Sequence, residues 1–183
     1  MIFRRAVLAA AGFALSACAS ALAPGANPQA QFWSALATLC GKSGQGKLIV
    51  GDPVLDKDFA ANPLVMGPVV CAPDKVEIPF SVGADASRTW IITRTASGLR
   101  LKHRHLHDSK EEALSQYGGD TVGVGAADRQ EFPADAFSKD LFLKQNRPAS
   151  VANIWALEVT AHQRLAYELK RPGRHVRVEF ATK

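Results

Sequence analysis

Apolar and polar residues alternate along most of the chain with a period of two, the pattern of half-buried β-strands. It is cleanest over residues 76–108, VEIPFSVGADASRTWIITRTASGLRLKHRHLHD. Val76, Ile78 and Phe80 alternate with polar or turn residues, the segments 83–87 and 96–98 are turns, and strands follow over 88–94 and 99–107. These links are too short for a parallel crossover, so the neighbours run antiparallel. Earlier strands are read at 47–51 and at 64–71, where Gly67-Pro68 marks a bulge or sheet edge. The last forty residues give three more, at 151–160, 164–170 and 175–180. Their apolar faces are Val151, Asn153, Trp155, Leu157 and Val159, then Leu165, Tyr167 and Leu169, then Val176, Val178 and Phe180. Arg171-Pro172-Gly173 reverses the chain between the last two.

Helical spacing occurs in fewer places. Pro28–Cys40 puts Phe32, Leu36 and Leu39 on one face with Trp33 beside them, Asn27 as its N-cap and Gly41 at its end. Pro133–Gln145 sets Phe137 and Leu141 one turn apart. Ser109 and Glu112 have capping-box spacing, which predicts a helical turn over 109–117. Asp52–Asn62 reads as a loop, and Tyr117-Gly118-Gly119-Asp120 with 123–125 as a glycine-rich one. Together these predict a mainly β fold: a single antiparallel β-barrel, or strongly curled sheet, of about eight strands with an N-terminal helix and a short helical insertion. A sheet of that size with one apolar face tends to curl and close, which removes its edges.

The first residues follow another logic. Arg4 and Arg5 precede an apolar run, Ala6–Ala14, too short to span a bilayer. Leu15-Ser16-Ala17-Cys18 resembles the lipobox of bacterial lipoproteins at every position. The resemblance implies acylation of Cys18, cleavage before it, and, with Ala19 rather than Asp next, sorting to the outer membrane. The alternative is a plain signal-peptidase site at Ala21-Leu22-Ala23. The expected organisation is a signal peptide over 1–18, a tether over 19–28 and one barrel domain over 29–183, held in the periplasm by lipid at Cys18. Export leaves about 165 residues, enough for one domain with a sizeable core. Loss of Arg4 and Arg5 takes Lys+Arg from 22 to 20 against 17 Asp+Glu, a net charge of +3. So small an excess argues against a nucleic-acid partner. With Cys18 assigned to lipid, Cys40 and Cys71 are an even pair in an oxidising compartment and predict a disulfide.

In strand count and length the chain looks like the calycin barrels, the lipocalins and their relatives, in architecture alone, because the lipocalin Gly-x-Trp signature is absent after Gly41 and Gly46. Arg88-Thr89-Trp90, Leu101-Lys102-His103 and Tyr117-Gly118-Gly119-Asp120 also look like a group of uncharacterised proteobacterial secreted proteins, a resemblance that implies no activity.

Candidate chemistry centres on the strand 99–107. Leu99, Leu101, His103, His105 and His107 share one face, and Arg100, Lys102 and Arg104 the other. With the leucines inward, the interior turns from apolar to imidazole towards a barrel mouth, where Trp90, His103, His105 and Tyr167 are the candidate contacts for a small, partly apolar ligand or an envelope component. A rival is a zinc or copper site on His103/His105 or His105/His107 with help from Glu111, Asp120 or His162. All three histidines together span too far for one ion, and the plain alternative is a solvated strand end. The basic face reads as a wet strand surface or a contact for anionic lipid or polymer, and Trp33, Trp90 and Trp155 as core. Gly41–Leu48 mimics a P-loop but puts Leu48 where a hydroxyl belongs, and it enters a strand instead of a helix. There is no Gly-x-Ser-x-Gly, Ser-x-x-Lys or His-Glu-x-x-His, and Glu131, Asp135 and Glu158 show no readable pairing. A non-enzymatic binding protein is therefore expected, with a hydrolase or isomerase working in the barrel mouth as the remaining alternative and no resident cofactor.

Overall fold

The computed structural model describes residues 27–160 and 164–182. The expected signal peptide, Cys18, the alternative cleavage site at Ala21-Leu22-Ala23, most of the expected tether and His162 lie outside these residues. In chain order the elements are helix α1 (Pro28–Ala37), strand β1 (Gly44–Val50), helix α2 (Lys57–Ala61) and strands β2 (Leu64–Met66), β3 (Val70–Ala72), β4 (Lys75–Val82), β5 (Asp85–Thr95), β6 (Gly98–His107), β7 (Lys110–Glu111), β8 (Tyr117–Asp120) and β9 (Arg129–Pro133). Helix α3 (Ala136–Lys144) and a 3₁₀ turn (Pro148–Ala152) lead into β10 (Ile154–Val159), β11 (Arg164–Arg171) and β12 (Arg174–Thr182). All strands are antiparallel neighbours in one strongly curled sheet, a half-barrel, in the order β7-β6-β5-β4-β2-β1-β12-β11-β10-β9 with β3 beside β4 and β8 beside β6.

The expected count of about eight strands is corrected to twelve among the described residues. Gly67-Pro68 splits one expected strand into β2 and β3. Two of the other three additions, β7 and β8, fall where capping and glycine signals suggested a helix and a loop, and the third, β9, precedes the expected helix in a stretch given no element. No helix forms over 109–117. Asp108 and Ser109 take positive φ, which makes a tight reversal into the short β7. The glycine pair read as loop is the middle of β8. A Cβ on Gly118 would stand 1.9 Å from the Leu101 carbonyl oxygen, and one on Gly119 would stand 1.7 Å from that of Pro133. Glycine is needed here because two backbones approach closely, a use that composition alone cannot separate from flexibility. A five-residue helix, α2, also sits inside the expected loop 52–62.

β8 stitches the far edge of the sheet to α3. The Asp135 N–H donates to the Gly118 carbonyl at 2.9 Å. The Ser138 hydroxyl accepts from Gly118 N–H at 2.7 Å and donates to the Gly118 carbonyl at 2.8 Å. Asp135 also caps α3 through Ser138 N–H at 2.8 Å. The N-terminal helix starts and caps as expected, with Asn27 accepting from Gln29 N–H and Phe32, Leu36 and Leu39 fully buried, but it ends at Ala37, with Thr38 as its C-cap, and not at Gly41. It closes one end of the half-barrel, where Gln29 donates to Thr121 and to the Gly123 carbonyl. Just after it, the Cys40–Cys71 disulfide pins the chain to β3.

Inside, the alternation holds: Val76, Ile78, Phe80, Ile92, Leu101, Leu157, Leu165, Val178 and Phe180 form the core. Outside, the basic face of β6 is neutralised across the sheet. Arg100 makes a two-pronged bond to Asp120 at 2.6 and 2.8 Å, Lys102 meets Asp135 at 2.7 Å and Arg104 meets Glu77. The acids that looked scattered are paired as well. Glu158 lies between Arg129 and Arg177, and the buried Glu168 takes Arg129, Lys170 and His175. Burial would push the Glu168 carboxyl up, but bonds from Lys170, Arg129 and His175 outweigh it and hold the pKa at about 2.

The β8 seam makes one position decisive. Gly119→Ala should destabilise the protein by about 3 kcal/mol through overpacking against the Pro133 backbone, read as a lower urea midpoint with an unchanged slope.

Candidate ligand-binding site at the mouth of the half-barrel

Antiparallel pairing brings to one end the close of β6, the start of β5, the β11–β12 turn, the loop before α2 and the segment after α3. This is the end opposite α1, and it holds a cavity of about 520 Å³, within the range of small-molecule sites. Trp90, His103, His105 and Tyr167 all line it. The structure therefore brings together the four residues expected to contact a ligand.

Along β6 burial falls stepwise: Leu99 and Leu101 are buried, His103 is 3 % exposed, the His105 side chain is 15 % exposed and that of His107 is 60 % exposed. The strand thus passes from core to mouth to solvent. Below the cavity, Trp155, Leu157 and Phe180 fill the interior, which confines the open space to the mouth. Trp155 reaches its base, and Trp33 lies instead on the α1 side, under the Arg94 guanidinium at 5.6 Å.

The floor is aromatic. Trp90 stacks on Tyr167 with ring centres 4.3 Å apart and on Phe80 at 4.8 Å. His103 stacks on Tyr117 at 4.6 Å and leans on Trp155 at 5.0 Å. Its hydrogen bonds fix the tautomer. Nδ1 lies 3.2 Å from the Tyr117 carbonyl oxygen, which can only accept, so Nδ1 carries the proton. Nε2 is then the acceptor for the Tyr167 hydroxyl at 3.0 Å. Burial drives the His103 pKa down to about 3, the backbone bond to Tyr117 opposing it only in part. His105, bonded through Nε2 to the Tyr117 hydroxyl at 3.0 Å, is also lowered, by burial and then by Arg88. Burial pushes Tyr117 up to about 12 and Tyr167 well above its ordinary value. At neutral pH the floor carries uncharged imidazole and phenol, a surface suited to stacking and to a few directed hydrogen bonds.

The same geometry bears on the metal and catalytic readings. Both nitrogens of His103 are engaged inside the protein, so it offers no free base or ligand atom. His107 bonds Glu112 at 2.5 Å out in solvent, with the His105 Nδ1 3.8 Å from the same carboxylate. Asp120 is held by Arg100, and Glu111 accepts from Gln116. Among the described residues no three His, Cys, Asp or Glu side chains are grouped to hold an ion.

No family model, curated protein or solved structure matches the chain.

Several lining residues had no signal in the strand pattern. Tyr117 was hidden in the glycine stretch. Arg88, Arg147, Arg171 and Arg174 form a cationic rim that no motif announces. Arg174 pairs with the buried Asp56 ahead of α2, and Arg88 with Asp85. Following strand direction would have found Arg171 and Arg174, because the turn they flank lies at the same end as His105.

A neutral buried histidine has a pH signature. The folded pKa of His103 lies below its unfolded value of about 6.5, so its contribution is complete above pH 6.5 and is lost as pH falls towards 3. Unfolding free energy should fall by about 1 kcal/mol from pH 6 to pH 5, near the 1.4 kcal/mol per unit that one proton carries. His103→Gln should flatten that slope in denaturant titrations at the two pH values.

Proposed function

We propose that this chain is a lipid-anchored protein of the bacterial periplasm that binds a small, partly apolar molecule in the mouth of its half-barrel, without catalysing a reaction on it. The observation that carries the binding reading is the mouth cavity, floored by Trp90, His103, Tyr117 and Tyr167 and closed below by packed core. Aromatic rings stacked on one another give a flat, rigid apolar surface, and the phenol oxygens of the floor with the His105 imidazole beside it add polar contacts at little desolvation cost. Calycin-like barrels hold ligands in a comparable place, and the present cavity would be a shallow version of that arrangement.

The envelope reading rests on Arg4-Arg5, the apolar run and Leu15-Ser16-Ala17-Cys18. The Cys40–Cys71 disulfide suits an oxidising compartment. Lipid at Cys18 would hold the protein on the outer membrane, each buried CH₂ contributing about 0.8 kcal/mol, and the tether would leave the half-barrel free in the periplasm.

Two experiments test the two halves. Nile red should bind the mature protein saturably at one site. Leu114→Trp, which fills the mouth from its lining loop, should weaken that binding by more than about tenfold while leaving the circular dichroism spectrum unchanged. Equal binding by the variant would place the probe elsewhere and refute the mouth as the site. Separately, Cys18→Ala should move the protein from the membrane fraction to the soluble periplasm. A wild-type protein already soluble without detergent would refute the anchor.

A further inference from the structure

We infer that the mouth selects an anionic amphipath, a molecule with an apolar ring or chain for the aromatic floor and a carboxylate, sulfonate or phosphate for the arginine rim. This rests on the binding reading above and specifies the chemical class of the ligand.

The charge balance of the lining carries the inference. Four guanidinium groups line the cavity, from Arg88, Arg147, Arg171 and Arg174, against two carboxylates, Asp56 and Glu112. Asp56 is committed to Arg174, and Glu112 bonds His107 at the outer edge. Arg88 has its counter-charge in Asp85. That leaves Arg147 and Arg171. Arg171 is held by neutral oxygens only, Ser150 Oγ at 2.9 Å and Asn153 Oδ1 at 3.2 Å. These bonds orient the guanidinium without cancelling its charge. Arg147 is exposed, in the same segment after α3 that supplies Ser150 and Asn153, and makes no ion pair among the described residues. Arg174, beside Arg171, keeps its Nη1 buried without a hydrogen-bond partner while another nitrogen bonds Asp56.

Two arginines close enough to repel, one holding an unused buried donor, are a configuration that a bound anion relieves. The repulsion is felt locally. Burial and then the Arg174 charge lower the Arg171 pKa, a shift against the usual constancy of arginine. The field also reaches the floor: Arg174 and Arg88 act on Tyr167, and Arg88 and Arg147 on Tyr117. The four arginines and the aromatic floor line one cavity. Two oxygens of one acid head meet the fork of a guanidinium in two parallel charge-assisted bonds, which a neutral polar head cannot do. His103 and His105, both pushed towards the neutral form, leave the floor without competing charge.

A matched pair of fluorescent probes tests this. 8-Anilinonaphthalene-1-sulfonate and N-phenyl-1-naphthylamine share one skeleton and differ by the acid group. Titrated into the folded wild-type protein, the sulfonate should bind one site at least about tenfold more tightly than the neutral amine, as expected for charge-assisted bonds. Arg147→Gln, at an exposed position, and Arg171→Gln should each cut sulfonate affinity by about three- to tenfold and leave the amine unchanged. Equal affinities for both probes, or tighter binding of the amine, would overturn the anion preference and leave the mouth as an apolar site. A preference unaltered in both variants would also overturn it, since the charge read by the probe would lie elsewhere. Binding of neither probe would overturn the binding reading itself.

Discussion

His103 sits on β6 near one edge of the strand order and accepts a hydrogen bond from Tyr167 on β11 near the other, so a single imidazole spans the interior of the half-barrel. It must be uncharged to remain there, because a buried imidazolium without a counter-charge would cost several kcal/mol. Its second nitrogen is satisfied by the Tyr117 carbonyl on β8, the strand that joins the sheet to α3. The ring therefore connects three elements and marks where packed core stops. Below it the interior is Leu, Ile, Phe and Trp. Above it lie the aromatic floor and the arginine rim.

This division explains how the molecule places its polar groups. On the outer face of β6 the basic charges are answered: Arg100, Lys102 and Arg104 each find an acid on another strand or at the α3 cap, and on β11 Glu168 gathers three basic partners. At the mouth the answer is incomplete, and the excess is positive. A cationic excess lining a concavity raises the local concentration of anions there. In the proposed binding role, aromatic stacking below and guanidinium groups above would meet different parts of one ligand.

Much of the frame was legible because a period of two is hard to produce by accident. The core faces of β4, β5, β6, β10, β11 and β12, the capped α1 and the disulfide follow from alternation, helical spacing and cysteine arithmetic. Within the site, Trp90, His103, His105 and Tyr167 were legible because each lies on a strand whose inward face the pattern defines. The failures have a common physical origin. β8 reads as loop because Gly118 and Gly119 are required by close backbone approach, a tertiary cause. β7 and β9 are too short to show a period, and the capping-box spacing at Ser109 and Glu112 lost to a tight reversal. The rim arginines were not legible as a group because they come from the start of β5, the facing ends of β11 and β12 and the segment after α3, which only the closing of the sheet brings together.

The most direct test of the mouth as a binding site is native mass spectrometry with elemental analysis on the protein expressed from its full-length gene and purified from the native cells. One organic acid per chain, released on denaturation and absent from the Leu114→Trp variant, is the expected result. A well-folded chain that carries no organic molecule, or carries a stoichiometric metal in its place, would contradict it.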